Sequence, residues 1–135
     1  MRVRSLNSSV VRWPTAAEVD SAVRIWAREL VASDANVVAI GYFGSYARGD
    51  WGPGSDLDVV IIVASSDASF VGRIHPGDAT VLPVPTDVLT YTTDEWRQLG
   101  ARGGRFAETL ARDLRWVAGE ARPLWRRKAL PSSPE

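Results

Sequence analysis

At 135 residues the chain is long enough for one domain and too short for a second full-sized core. Apolar residues make up 45% of it and charged residues 24%, which excludes wholesale disorder, and 16 basic against 16 acidic side chains leave no net charge to attract nucleic acid or a membrane surface. The lack of cysteine excludes disulfides, thiolate nucleophiles and cysteine-ligated zinc, and a single histidine, His75, excludes an imidazole cluster.

Thr15, followed by Glu18 and preceded by Pro14, is a capping-box helix start. Val19, Val23, Trp26 and Leu30 then recur at helical spacing and predict an amphipathic helix over 16–32. Val37 to Phe43 is a β-rich run bounded by Asp34-Ala35-Asn36 and Gly44. Residues 45–49 read as a short helical turn and 50–55 as turn chemistry. Leu57 to Ala64, continuously apolar, predicts a central strand covered on both faces. Residues 65–80 have no clear period and read as an irregular connection. Val84 to Thr92 is a third strand, with Pro83 and Pro85 placing its start at a sheet edge or outside the ladder. Thr93-Asp94-Glu95 opens a short helix carrying Trp96 and Leu99, which Gly100 to Gly104 should break. Phe106, Leu110 and Leu114, with Val117 at the margin, predict a final helix ended by Gly119. The expected organisation is an N-terminal extension over 1–14, one α/β unit over 15–119 and a basic tail over 120–135.

No apolar run approaches the roughly 20 residues that span a bilayer. The first 14 residues lack the apolar stretch, about 7–15 residues long, of a secretory signal, so the expected compartment is the cytoplasm. The charge is unevenly distributed: residues 34–96 hold two Arg against nine acids, and residues 97–135 hold eight Arg and one Lys against four. An acidic middle is where a cation would be held; solvated faces explain most of the remaining charges.

The chemistry concentrates between Gly44 and Asp58. A strand ends at Phe43, Gly44 lets the backbone approach a ligand closely, and Ser45 opens a helical turn whose amides and hydroxyl suit a phosphate. Arg48, one turn on, either reaches that phosphate or pairs with Asp50. Asp56 and Asp58 lie two apart at the mouth of a strand, so both carboxylates leave on one face and repel unless a cation sits between them. Magnesium prefers such oxygens and keeps positions open for substrate phosphates. Holding two metals about 3.5–4 Å apart takes a further acid. Asp87, inside an otherwise apolar strand where an unpaired carboxylate is costly to bury, is the candidate; the alternative places it at an exposed strand edge. Trp51 either packs its loop or stacks on a base, and His75 reads as a turn or surface residue.

Gly44-Ser45, ten residues, then Asp56-x-Asp58 resembles the signature of the polymerase-β-like nucleotidyltransferases. Gly44-Ser45-Tyr46-Ala47-Arg48-Gly49 and Ser55-Asp56-Leu57-Asp58 resemble their minimal branch, the MNT proteins. The resemblance implies an α/β fold with a small mixed sheet and helices mainly on one face. It implies that Asp56, Asp58 and, by position, Asp87 hold two Mg2+ ions, while Gly44 and Ser45 hold the phosphates of ATP. It further implies transfer of AMP to a hydroxyl, with a helical HEPN-type toxin as acceptor and partner and this chain as its antitoxin. Two other functions stay open: an inactive module that neutralises a partner by covering it, and a transferase acting on a small hydroxylated molecule such as an aminoglycoside, for which a homodimer would supply the missing second domain. Neither a membrane nor nucleic acid is expected as a partner.

Overall fold

A computed structural model of the chain describes residues 12–119. Helix α1 spans Ala16–Ser33, strand β1 Val37–Phe43, helix α2 Ser45–Arg48 and strand β2 Leu57–Val63. After a 3-10 turn at Ala79–Val81 come strand β3 (Thr86–Thr92), helices α3 (Thr93–Arg102) and α4 (Arg105–Asp113), and strand β4 (Arg115–Gly119). The sheet runs in the order β3-β2-β1-β4. The β2–β3 pair is parallel, and β1 is antiparallel to both β2 and β4. The small mixed sheet expected from the resemblance is therefore present.

Both faces of the sheet are covered. Val19, Val23, Ala27 and Leu30 of α1 pack with Ile40 and Tyr42 of β1 and with Leu57, Val59, Ile61 and Val63 of β2. On the other face, Trp96 and Leu99 of α3 and Ala107 and Leu110 of α4 pack on Ala39, Val60 and Ile62. The period-two alternation of β2 thus feeds two cores. Helix α1 covers one face, and α3 and α4 together cover the other. The signal for the second layer is the unbroken apolar run of β2, which a one-sided sheet would not tolerate.

Two boundaries also differ from the sequence reading. Helix α3 continues through the buried Gly100 and ends at Gly103, where φ is 72°. Its capping box uses Thr92 and Glu95, one residue earlier than Thr93. The predicted final helix ends at Asp113, and Val117 lies in a strand. Leu114 turns extended (φ −66°, ψ 131°), and β4 then pairs with β1, crossing a bulge between Ile40 and Gly41. Apolar spacing from Phe106 to Val117 mimics a helix across that break, while Trp116-Val117 carries the β preference that decides it. The tail over 120–135, and most of the extension over 1–14, lie outside the described residues.

The connection between β2 and β3 is irregular, as expected, but it is tied down at both sides. Gly77 (φ 75°) lies against Leu30 and Trp26 of α1, too close for a Cβ without displacing Leu30. Arg73, whose side chain is 5% exposed, reaches Glu95 at 2.7 and 3.1 Å and donates to the carbonyls of Thr90 and Ala68 at 2.8 Å. His75 adds a contact of its own, Nδ1 to the Thr90 hydroxyl at 2.7 Å. Truncation of Arg73 strands Glu95 and two carbonyls, so Arg73→Ala is expected to lower stability by about 3 kcal/mol in urea unfolding at pH 7. Arg73 holds the Glu95 carboxyl below its ordinary 4.5, foremost by hydrogen bonding. A depressed acid stabilises the fold above its unfolded value, and that stability is lost as pH falls through the folded value. The difference between wild type and Arg73→Ala should therefore shrink below pH 4.5.

Candidate active site

The end of β1 and the starts of β2 and β3 meet at one edge of the sheet. Asp58 pairs in register with Phe43 of β1 on one side and Asp87 of β3 on the other. Register partners project to the same face. That face is the one covered by α3 and α4, because Leu57 and Val59, flanking Asp58, point into the α1 core. Asp56 lies just before β2, two residues from Asp58 and exposed.

Burial first, then the charges of Asp87 and Asp56, push the Asp58 carboxyl above its ordinary 3.8, while Arg48 opposes the shift. Three acids thus act on one position and raise the cost of ionising the middle one. Asp87 is exposed, on an edge strand. The expectation that burial forces a partner on Asp87 is corrected: parallel register, not desolvation, brings it to Asp58. Among the described residues no three acidic or histidine side chains stand close enough to form a closed metal cage.

Gly44 forms the opposite wall. It has φ 86° and ψ −155°, and a Cβ there would run into Oδ2 of Asp58, with Cγ 3.4 Å away. The glycine therefore serves both as a left-handed turn and as the gap that seats the carboxylate. Ser45 then starts α2, and Arg48 ends it. The Arg48 guanidinium pairs with Asp50 at 3.2 Å and with Asp113 at 3.4 Å. Trp51 stacks on Tyr46 at 5.5 Å and packs against the α1 core, so its loop-packing reading holds. Trp13 donates to the Tyr46 hydroxyl at 2.7 Å and completes that cluster.

An all-oxygen donor set whose like charges repel has the chemistry that a hard divalent cation such as Mg2+ takes. Magnesium at 100 times its dissociation constant is expected to stabilise the wild-type fold by about 2.7 kcal/mol, read as a rise in melting temperature. The same rise in Asp58→Asn would place the metal elsewhere.

The sequence matches the nucleotidyltransferase domain over residues 24–109, more than half the chain. The chain belongs to this family. The matched residues of the nucleotidyltransferase domain run from α1 into α4 and include the Gly44 turn and all three carboxylates. Among solved structures it is similar to a Sulfolobus solfataricus protein described as a nucleotidyltransferase, with 19% identity over 64% of this chain and 82% of that one and a TM-score of 0.45. It is also similar to a chain of a toxin–antitoxin structure with AMP-PNP, with 14% identity over 79% of this chain and 75% of that one and a TM-score of 0.42. No curated protein matches it.

Two residues at the site of this nucleotidyltransferase domain escape sequence reasoning. Asp113 is buried at the end of α4 and bonded to Arg48. Arg115 of β4 donates to the carbonyl of Ala47 in α2 at 2.9 Å. A signal for Asp113 existed: an acid three residues after Leu110 falls on the buried stripe of its helix, at the end where the dipole disfavours negative charge.

Proposed function

We propose that the chain is a magnesium-dependent nucleotidyltransferase of the minimal MNT type, moving AMP from ATP to a hydroxyl on a HEPN-type partner and so serving as its antitoxin. The observation that carries this reading is the position of Asp58, in register with Asp87 and seated against Gly44. Asp56, Asp58 and Asp87 would hold Mg2+, which when bound neutralises the triphosphate and the departing pyrophosphate. Gly44 and Ser45 receive the phosphates through backbone amides and the Ser45 hydroxyl. The acceptor oxygen forms its bond to the α-phosphorus as the bond from that phosphorus to the bridging α–β oxygen breaks. Pyrophosphate leaves, and the acceptor proton passes to the Asp87 carboxylate. The exposure of Asp87 suits this role, since an acceptor on a second protein must reach it. In this reading the domain occupies residues 15–119, and the protein acts in the cytoplasm.

The test is incubation of the purified chain with α-labelled ATP, magnesium and extract of its own cells, beside an Asp56→Asn/Asp58→Asn control. Label on one protein, absent with the control, supports the reading. Magnesium–ATP binding without transfer to any protein or small hydroxylated molecule would instead support a module that acts by covering its partner, the reading favoured by carboxylates that do not close into a cage.

A further inference from the structure

We infer that Asp113 is a positioning residue for nucleotide binding: it holds the Arg48 guanidinium in place at the phosphate cradle, an assignment that rests on the nucleotidyl-transfer reading above. Among the described residues Asp113 is the one buried acid. Its side chain is 5% exposed and sits at the C-terminal end of α4, so both desolvation and the helix dipole disfavour its charge. Arg112, the preceding residue, reaches it at 3.1 Å from the surface, where its own side chain is 66% exposed. Neutralising Asp113 locally would need no more than that. Yet the second cation on Asp113 is Arg48, 65 positions away in the chain, at 3.4 Å.

From the Arg48 side, the asymmetry is plain. Its other partner, Asp50, is 63% exposed, and an ion pair at the surface fixes a guanidinium weakly. Asp113 is rigid, buried and packed into a helix end, so it sets where the guanidinium stands. Two residues on, Arg115 grips the Ala47 carbonyl at 2.9 Å. The segment 113–115 therefore holds the end of α2 at two points, one through the Arg48 side chain and one through the backbone. Arg48 in turn closes the helical turn that Gly44 caps and Ser45 opens, which places its charge beside the cradle. A held guanidinium there costs less ordering when a triphosphate arrives than a free one.

The test is a double-mutant cycle on magnesium–ATP affinity, measured by calorimetric titration with the melting temperature recorded for every variant. Asp113→Asn should weaken binding about tenfold in the wild type and leave binding unchanged in an Arg48→Met background. Arg48→Lys, which does not open the buried position, should weaken binding by a similar factor of about ten. Asp50→Asn should stay within about twofold of wild type. Equal losses from Asp113→Asn with and without Arg48, an Asp50→Asn effect as large as that of Asp113→Asn, or full affinity in Arg48→Lys would each overturn the assignment while leaving the nucleotidyl-transfer reading intact. A wild-type chain that binds no magnesium–ATP would overturn both.

Discussion

Asp58→Asn is expected to abolish label transfer while making the protein slightly harder to unfold. The two effects have one cause. Burial and the neighbouring charges of Asp87 and Asp56 raise the Asp58 carboxyl above its ordinary value, so the folded state disfavours the ionised form that exists at neutral pH. A carboxyl raised by folding carries no penalty below its unfolded value and a full penalty above its folded one. Asparagine has nearly the same shape and no charge, so it removes that penalty; with partial exposure and screening the gain is roughly 0.5 kcal/mol. Losing the central ligand should cut transfer by roughly 10³-fold. Asp87→Asn separates the roles, since an exposed edge residue should change stability by less than about 0.5 kcal/mol while its loss as proton acceptor lowers transfer by about 10²-fold or more. Thermal melts beside transfer assays at neutral pH decide. An Asp58→Asn protein that melts lower and still transfers label would make the carboxylate a structural group.

The site was legible in the sequence because its parts are local. Gly44 and Asp58 are 14 positions apart, on the end of one strand and the start of the strand paired antiparallel to it, so a linear motif nearly states the geometry. Asp87 is not local: its place beside Asp58 is decided by how a long irregular connection sets the parallel register, and periodicity cannot give that. The ties that anchor this connection, Arg73 to Glu95 and His75 to Thr90, join residues with no spacing signal. Strand β4 was misread for a different reason. Its apolar residues continue the helical spacing of α4, and only pairing with β1 across the close approach at Gly41 turns them into a strand. Asp113 lies at the break inside that segment, so reading the segment as one continuous helix hid its contact with Arg48.

Gly44→Ala is expected to be the most damaging change of a single methyl group at the candidate site. The residue has φ 86°, a conformation that costs an L-residue roughly 1–2 kcal/mol. The added carbon also meets the Asp58 carboxylate, the end of a side chain whose backbone β2 holds in register with Phe43 and Asp87. The carboxylate must swing away or the turn must open, and either motion separates Asp58, the proposed metal ligand, from the amides after Gly44, the proposed phosphate cradle. Stability should fall by about 2 kcal/mol in urea unfolding, and transfer by at least about 10²-fold in protein that is still folded. Gly103→Ala is the matched control: it has φ 72° and ψ −153°, close to the conformation of Gly44, and nothing lies within 4 Å of its added carbon, so it carries the backbone strain without the collision. If the two variants lose stability alike and both retain transfer, Gly44 is a turn and no more. If only Gly44→Ala loses transfer, the space its missing side chain leaves belongs to the carboxylate, and the turn and the ligand are one device.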